Sequence, residues 1–444
     1  MPIPFREVIS HPDLPARFPD AEMIERYLGA GSPAGELIYL GLGETWTQVA
    51  PGLVSALAGP LPSHSHGYIV SQYGLPRLQR TLRSYIASSH RLPSGLEAGR
   101  DFEVAVTSGG TRNAMFDFAR LLQSEPSLGL IAESGVTPVL ISTLPGWSYE
   151  SVVDALGYRS RYLPLWQDNG YQPSTKEFDE LLDSVIADPG QKPAIIAINA
   201  QHNPTGVNWR PDTVRHMIRR ALEAGAAVLI DDAYYGVHDP GVTPTSALRI
   251  LLEELQGAPP EAHRRWLAVR SLGKQFHCSG WGIGAATAHP DTLDALVNTV
   301  LLTRSFATAV PLQEAMADWL EDPAAERYRE EKNQEFAAKR AEVSELVRTR
   351  LGYPPDAIHV GDCTAFLCVR LPFPAHRGGE HLAEFLEECL NKTGVLMGVD
   401  RTIADRSGEG AHEPICFRIY LGPPQEVLTE AVTRLATAGY TYRL

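Results

Sequence analysis

Between residues 104 and 231, short apolar runs alternate with stretches that have the spacing of amphipathic helices. The apolar runs have the length of single β-strands and occupy residues 104–107, 139–142, 194–199 and 228–231. Strands that alternate with helices in this way pair in parallel and are covered on both faces. The sequence therefore predicts an α/β fold whose large domain has a mostly parallel sheet covered by helices.

The pattern changes in the last third of the chain. Residues 325–351 form a charged stretch with a thin apolar stripe, which predicts a long helix that ends at Gly352. A helix with so little apolar surface usually joins domains, so we place a boundary within it. We expect an amino-terminal segment, 1–60, that packs with the small domain, a large domain, 61–335, and a small α+β domain, 336–444.

The composition excludes several classes of protein. A formal net charge of -14 over 444 residues disfavours nucleic acid as a partner. No apolar run approaches the roughly 18 residues of a membrane span, and the amino terminus has no secretory signal pattern. The five cysteines include no CxxC pair, which argues against disulfides and zinc. We therefore expect a cytoplasmic protein with no bound metal and no membrane partner.

A lysine lies just past another short apolar run, at residues 266–269. Ser271 and Lys274 follow this predicted strand, at the edge where open α/β sheets bind ligands. The neighbours of the lysine are small, aromatic and mostly uncharged, so desolvation disfavours its charged form and leaves its amine nucleophilic. Taken alone, these residues fit an ordinary surface lysine at a strand-to-loop junction at least as well.

Other distinctive residues occur in turns after predicted strands or in a late strand. Small residues between a strand and a helix leave the first N–H groups of the helix free, as a phosphate site requires. Each motif alone also has an ordinary structural explanation. The motifs are Ser108-Gly109-Gly110-Thr111, Pro145-Gly146-Trp147-Ser148-Tyr149, Asn203-Pro204-Thr205-Gly206, Asp231-Asp232-Ala233-Tyr234 and Phe417-Arg418-Ile419-Tyr420.

In this order, and together with Ser-x-x-Lys, the motifs resemble those of the pyridoxal 5′-phosphate (PLP) enzymes of fold type I, specifically the class I/II aminotransferases. The resemblance extends from about residue 40 to Arg418. It implies PLP as the cofactor and an α-amino acid as the substrate. It also implies a homodimer with the active site at the subunit interface.

The resemblance implies a role for each cofactor residue. Lys274 would hold PLP as a Schiff base and move the α-proton as base and acid. Asp231 would keep the pyridine nitrogen protonated, while Asn203 and Tyr234 would hydrogen-bond the phenolic oxygen. Trp147 would stack on the cofactor ring. Gly110, Thr111 and Ser271 would bind the cofactor phosphate.

Two residues outside this group are implied as substrate-binding. Arg418 would hold the α-carboxylate through a bidentate pair. Gly43 lies where the family's amino-terminal segment closes over the substrate, and Asn203 would also face the substrate.

The sequence departs from the family at one position. Gly282 stands where an arginine usually pairs with the cofactor phosphate. Our hypothesis is that another cation substitutes, with Arg112 the nearest candidate in sequence; alternatively, the glycine makes room for a larger substrate. The tyrosine that reaches the neighbouring subunit's phosphate is either Tyr68 or Tyr73.

Three functions fit these observations. Transamination is the first. The alternative is elimination, replacement or cyclisation on S-adenosylmethionine or a related amino acid, because residues 72–76 resemble a segment of the aminocyclopropane-carboxylate synthases. A ligand-sensing module like that of some transcription regulators is disfavoured, since the first predicted strand begins by Ile38 and leaves little room for a DNA-binding domain.

Overall fold

A computed structural model describes residues 19–43, 49–107, 109–125, 128, 135–300, 307, 309–370, 378–399 and 416–442. The chain divides into two compact units. The first unit comprises residues 1–47, 204–206 and 334–444, and the second comprises residues 48–203 and 207–333.

The helices of the described residues are numbered here in chain order. They are α1 Pro19–Gly29, α2 Pro51–Ala58, α3 Pro76–Ser89, α4 Thr111–Ser124, α5 Glu150–Val153, α6 Thr175–Ala187, α7 Pro211–Glu223, α8 Ala247–Leu255, α9 Leu272–Phe276, α10 Pro290–Ala295, α11 Val310–Glu321, α12 Ala324–Arg350, α13 Gly378–Thr393 and α14 Gln425–Thr437. None of them combines the length and the apolar composition that a transmembrane segment needs.

The strands are numbered in the same way. They are β1 Ile38–Leu40, β2 Glu103–Val106, β3 Thr137–Leu144, β4 Arg159–Pro164, β5 Gln191–Ile198, β6 Ala227–Asp231, β7 Trp266–Ser271, β8 Gly284–Ala288, β9 Ile358–His359, β10 Phe366–Arg370, β11 Val395–Val399 and β12 Cys416–Tyr420.

The second unit contains a seven-stranded sheet in the order β2-β8-β7-β6-β5-β3-β4. Only β8 runs against its neighbours, β2 and β7, and the other paired strands are parallel. The predicted mostly parallel α/β sheet is therefore confirmed. Because β2 and β7 are both antiparallel to β8, the carboxyl ends of the six parallel strands meet at one edge of the sheet.

Both faces of this sheet are buried, which explains why its strands are continuously apolar. Along β6, Val228 and Ile230 belong to one hydrophobic cluster, whereas Leu229 belongs to another. The first cluster includes apolar residues of α3, α6 and α7, and the second includes those of α4. Helices therefore cover the sheet from both sides, so side chains of the sheet can reach a ligand only at the strand ends.

The first unit contains a five-stranded sheet in the order β1-β11-β12-β10-β9. The short strand β1 pairs in parallel with β11, and the other pairs are antiparallel. Helix α12 is 27 residues long, and the division between the two units falls within it, between Asn333 and Gln334.

Candidate active site

Eight of the predicted site residues lie at or just beyond the carboxyl ends of the parallel strands in the second unit. Asp231 is the last residue of β6, Ser271 is the last of β7, and Lys274 lies in the short helix α9 that follows. The others lie in turns or at a helix start after β2, β3, β5 and β6, and they are Gly110, Thr111, Trp147, Asn203 and Tyr234. The other two predicted residues, Gly43 and Arg418, lie in the first unit.

A glycine turn connects β2 to helix α4. Gly109 and Gly110 have φ values of +75° and +89°, a conformation that side chains disfavour. Gly110 is the N-cap residue of α4 and has no side chain with which to cap the first N–H groups of the helix. The turn therefore presents backbone donors that suit a phosphate. Ser108 lies outside the described residues.

Gly282 packs directly against this turn. Its φ is +64°, and a Cβ at this position would lie 3.3 Å from Gly109 Cα and 3.4 Å from the Gly110 nitrogen. The backbone here is therefore shaped for glycine. A side chain at Gly282, including the arginine that the family usually has there, requires the turn to move.

Two hydroxyl groups lie at the same strand ends. Ser271 precedes α9, but its side chain makes no capping hydrogen bond. Thr107 follows β2, and its buried Oγ1 has no hydrogen-bond partner among the described residues. A buried hydroxyl without a partner is costly, and a phosphate oxygen beside Thr107 would remove that cost. Sequence reasoning missed Thr107, although it adjoins the predicted glycine turn.

Asp231 is buried and well held. Its Oδ2 accepts a 2.7 Å hydrogen bond from the Tyr149 hydroxyl, and its Oδ1 accepts one of 3.1 Å from the backbone N–H of Ala233. Burial raises the pKa of Asp231, while these two donors and the charge of Lys274 oppose the increase. A buried carboxylate of this kind is stabilised by a cation placed beside it, as a protonated ring nitrogen would be.

An asparagine that sequence reasoning missed connects Asp231 to the turn at Asn203. Asn199 Nδ2 donates to the backbone oxygen of Asp231 at 2.7 Å, and its Oδ1 accepts from the Asn203 N–H at 2.8 Å. Asn199 therefore fixes the start of the Asn203 turn relative to the end of β6. Its place directly after β5 is the signal that identifies it.

Lys274 is half-buried among residues that are mostly buried and uncharged. Its Nζ lies 5.9 Å from the centre of the Tyr234 ring. Lys274 is also close enough to Asp231 to affect the pKa of that carboxyl group. The structure thus brings the predicted lysine, carboxylate and tyrosine together.

Trp147 contacts both a cation and a second aromatic ring. The guanidinium carbon of Arg112 lies 5.1 Å from the centre of the Trp147 ring, and Tyr149 packs edge-on at 4.9 Å. Arg112 is exposed in the first turn of α4, and it forms no ion pair within the described part of the chain. A cation therefore lies beside both the glycine turn and the predicted stacking residue.

The two predicted residues of the first unit are Arg418 and Gly43. In the middle of β12, Arg418 donates a 2.8 Å hydrogen bond from Nη2 to the Gly41 oxygen, and its guanidinium lies over Phe366 at 4.7 Å. Gly43 lies in the turn after β1. Arg418 is thus half-buried and held by contacts within its own unit.

The two candidate tyrosines differ in their environment. The hydroxyl of Tyr73 donates to Asp294 of the same chain at 3.3 Å, and burial and that carboxylate raise the pKa of Tyr73. Tyr68 is 80% exposed, and the nearby Val70 is 89% exposed. Tyr68 is therefore the better placed of the two to reach outside its own chain.

These observations test whether PLP fits. The uncapped glycine turn, the buried hydroxyl of Thr107 and the buried carboxylate of Asp231 suit the phosphate and the ring nitrogen of this cofactor. No group of three or more potential metal ligands occurs in the described ranges. The donor set therefore fits PLP.

Comparison with known proteins agrees with this donor set. Residues 52–435 match the family model for aminotransferases of class I and II. An LL-diaminopimelate aminotransferase of Natranaerobius thermophilus is 23% identical over 404 residues, which cover 90% of this chain and 91% of the relative.

Solved structures show the same fold. Substrate-bound BacF of Bacillus subtilis matches with a TM-score of 0.74 and 20% identity, covering all of both chains. A mutant aspartate aminotransferase of Thermus thermophilus matches with a TM-score of 0.72 and 19% identity, covering 99% of this chain and 100% of that one. The chain therefore belongs to the class I and II aminotransferases and is a PLP-dependent enzyme of fold type I.

Proposed function

We propose that the enzyme moves the amino group of an α-amino acid to a 2-oxo acid, with Lys274 as the proton carrier and Arg418 as the carboxylate-binding residue. The observation that carries this proposal is the grouping of Lys274, Tyr234 and buried Asp231 at one edge of the sheet. The names of the relatives support transamination over chemistry on S-adenosylmethionine.

The residues have separate tasks in this proposal. When bound, PLP supplies an electron sink that makes the substrate's α-proton acidic. Lys274 Nζ takes that proton as a base and returns a proton as an acid. The carboxylate of Asp231, oriented by Tyr149, would face the pyridine nitrogen of bound PLP and favour its protonated form. Asn203 and Tyr234 would hydrogen-bond the phenolic oxygen of the bound cofactor.

Phosphate binding is assigned to backbone and hydroxyl donors. Gly110, Thr111 and Ser271 are the residues proposed from sequence, and the buried Oγ1 of Thr107 is added here. Trp147 is proposed to stack on the cofactor ring. Arg112 is proposed to supply the positive charge that Gly282 cannot. It lies in the first turn of α4, next to the glycine turn, and its guanidinium lies over the Trp147 ring.

Substrate recognition is assigned to the first unit. Arg418 offers a guanidinium that is already oriented by the Gly41 oxygen and by Phe366, which lowers the entropy cost of binding a carboxylate. We propose an α-amino acid as the substrate and Gly43 as part of the segment that closes over it.

We propose a homodimer, and the exposed Tyr68 supports this proposal. The large side chains of Tyr68 and Val70 are mostly exposed in the single chain, as expected of residues that a second copy covers. We propose that Tyr68 reaches the phosphate site of the partner subunit. We also propose a cytoplasmic location, since all five cysteines are free thiols.

A spectroscopic experiment tests the reaction. Purified protein is loaded with PLP, and the absorbance of the lysine-bound cofactor is followed as single amino acids are added. Conversion to the pyridoxamine form by an amino acid, and its reversal by a 2-oxo acid, is the expected result. Loss of the PLP band without any pyridoxamine would contradict transamination.

The assignment of Lys274 is tested in the same assay. The Lys274→Ala variant should lack the lysine-bound band and lose at least about 10²-fold in rate. Lys176→Ala is the matched control, because this lysine lies in α6 with its side chain 84% exposed. A normal band in Lys274→Ala would mean that another lysine holds the cofactor.

A further inference from the structure

A large cavity opens in the second unit, apart from the predicted cofactor residues. Its volume is about 850 Å³, within the range of small-molecule sites, and none of the eight predicted residues of this unit lines it. Its walls include aromatic rings, hydroxyl groups and five arginines: Arg91, Arg215, Arg249, Arg270 and Arg329.

Three of these arginines are neutralised within the cavity wall. Arg215 and Arg249 pair with Glu253, and Arg329 pairs with Glu326. Glu321 and Asp322 also line the cavity, and Glu321 pairs with Arg77, which lies outside the lining. Arg91 at the rim and Arg270 in the wall are therefore the two lining arginines that form no ion pair within the described ranges.

Arg270 is the buried one, with 3% of its surface exposed. Its Nη1 donates to the Ser89 hydroxyl at 3.2 Å and to His90 Nε2 at 3.3 Å, and its Nη2 donates to Gln275 Oε1 at a long 3.4 Å. Its Nε has no partner among the described residues. The Nε–Nη2 edge, which forms bidentate pairs with oxyanions, is thus almost unused.

Two tyrosines hold this guanidinium in place. Its carbon lies 4.6 Å from the centre of the Tyr235 ring and 5.3 Å from that of Tyr85. The Tyr85 hydroxyl also donates to Gln275 Oε1 at 2.5 Å, so that oxygen is shared between two donors. The guanidinium is therefore fixed in orientation before any ligand arrives.

The carboxyl groups of Asp232 and Glu326 lie within the field of Arg270, but neither forms an ion pair with it in the described ranges. Because Arg270 donates to His90 Nε2, that nitrogen is an acceptor, and the ring carries its proton on Nδ1, which lies 2.8 Å from Ser246 Oγ. Burial lowers the pKa of His90, so its ring is neutral. Neither carboxylate oxygen of Asp232 accepts a hydrogen bond from the described residues, and burial raises the pKa of Asp232 to about 7 although the charge of Arg270 opposes this increase.

Arg91 stands at the rim of the same cavity. It is exposed, with a φ of +50°, directly after the end of α3. Burial raises the pKa of Tyr235, the ring on which Arg270 lies, and the charge of Arg91 is among the effects that oppose this increase, so that charge reaches the cavity wall. A ligand that enters the cavity therefore meets a positive charge at the rim and another in the wall.

We propose that this cavity binds a small organic anion, whose carboxylate or phosphate group is held by the guanidinium of Arg270 and attracted by Arg91. A buried guanidinium that forms no ion pair is costly, and an oxyanion beside it reduces that cost. The site is separate from the cofactor site, although Arg270 directly precedes Ser271.

Calorimetric titration of the PLP-loaded enzyme tests this proposal. The probes are inorganic phosphate and citrate, each in a buffer that contains neither. Loading with PLP fills the cofactor's own phosphate site. We expect saturable binding of at least one probe; the better one shows whether phosphate or carboxylate is preferred.

Two variants identify the site. Arg91→Gln should weaken binding about fivefold, and Arg270→Lys, which keeps the charge but loses the planar fork, should weaken it about tenfold or more. Arg91→Gln changes only an exposed residue, so the test stands even if Arg270→Lys does not fold. Arg120→Gln, an exposed arginine of α4 outside the cavity, should bind as the parent does.

Two results would overturn the proposal. The first is the absence of saturable binding of both probes at millimolar concentration. The second is binding that is unchanged in Arg91→Gln but lost in Arg418→Gln, because the probe would then occupy the proposed substrate site.

Discussion

The hydroxyl of Tyr149 donates a 2.7 Å hydrogen bond to Oδ2 of Asp231, although the two residues are 82 positions apart in sequence. Both are buried, so water cannot replace this bond. The charged form of Asp231 therefore depends on a donor that belongs to a different loop.

Replacing Tyr149 with phenylalanine should weaken cofactor binding. The change leaves one oxygen of a buried carboxyl group without its donor, at a cost of about 1–3 kcal/mol, and raises the pKa of Asp231 further. The PLP dissociation constant, measured by absorbance titration, should increase by about tenfold. Tyr158→Phe is the control, because that buried hydroxyl donates to the backbone oxygen of Ala119 instead. Equal effects of both variants on PLP affinity would contradict this role of Tyr149.

Replacing Gly282 with a residue that has a side chain should destabilise the protein and weaken PLP binding. Gly282→Ala forces a residue with a Cβ to adopt a φ of +64° and places that atom 3.3 Å from Gly109. We expect a loss of about 1–2 kcal/mol in the free energy of unfolding, together with weaker PLP binding. Urea denaturation measures the first effect. Gly280→Ala is the control, since a Cβ there meets nothing within 4 Å. A Gly282→Arg variant that binds PLP more tightly than the parent would show that the glycine turn adapts easily.

Arg112 should contribute to cofactor affinity. Arg112→Gln removes the charge beside the glycine turn and should raise the PLP dissociation constant about tenfold, since a charge-assisted bond to phosphate is lost. Equilibrium dialysis measures the constant without any dependence on turnover. Arg120→Gln, on the same helix, serves as the control. If the two variants bind PLP equally well, the phosphate charge is balanced elsewhere.

The strands of the central sheet were predictable where they are apolar on both faces. β5 and β6 are such strands, and their predicted and observed bounds differ by only a few residues. β8 was missed because its sequence, Gly-Ala-Ala-Thr-Ala, has no strand pattern of its own. Its strand conformation comes from pairing between β2 and β7, which is information that no local window of sequence contains.

The candidate site was predictable to the extent that its residues follow strands. Lys274, Asp231 and Tyr234 were found in this way, and their roles stay predictions. Tyr149 and Asn199 were missed because their importance lies in hydrogen bonds to Asp231 that join distant parts of the chain. The Gly282 departure was visible in the sequence, but its packing against the glycine turn required coordinates.

Asp232 should make the stability of the protein decrease as pH rises. Burial raises its pKa from 3.8 to about 7, so the folded state binds more protons than the unfolded state between these values. The stability that this group contributes is fully present below about pH 4 and is lost as pH rises to about 7, by up to about 4 kcal/mol.

Asp232→Asn should remove this dependence. The uncharged amide pays no cost of ionisation, and its NH₂ group can donate to His90 Nε2, which lies 3.6 Å from the carboxylate that it replaces. The free energy of unfolding of Asp232→Asn minus that of the parent should therefore increase between about pH 4 and about pH 7. Urea denaturation of both proteins across this range measures the difference, and Asp212→Asn, an exposed residue of α7, is the control. Parallel curves for Asp232→Asn and the parent would mean that Asp232 is ionised throughout, with Arg270 as its true counter-charge, and would also weaken the case for an external anion at that arginine.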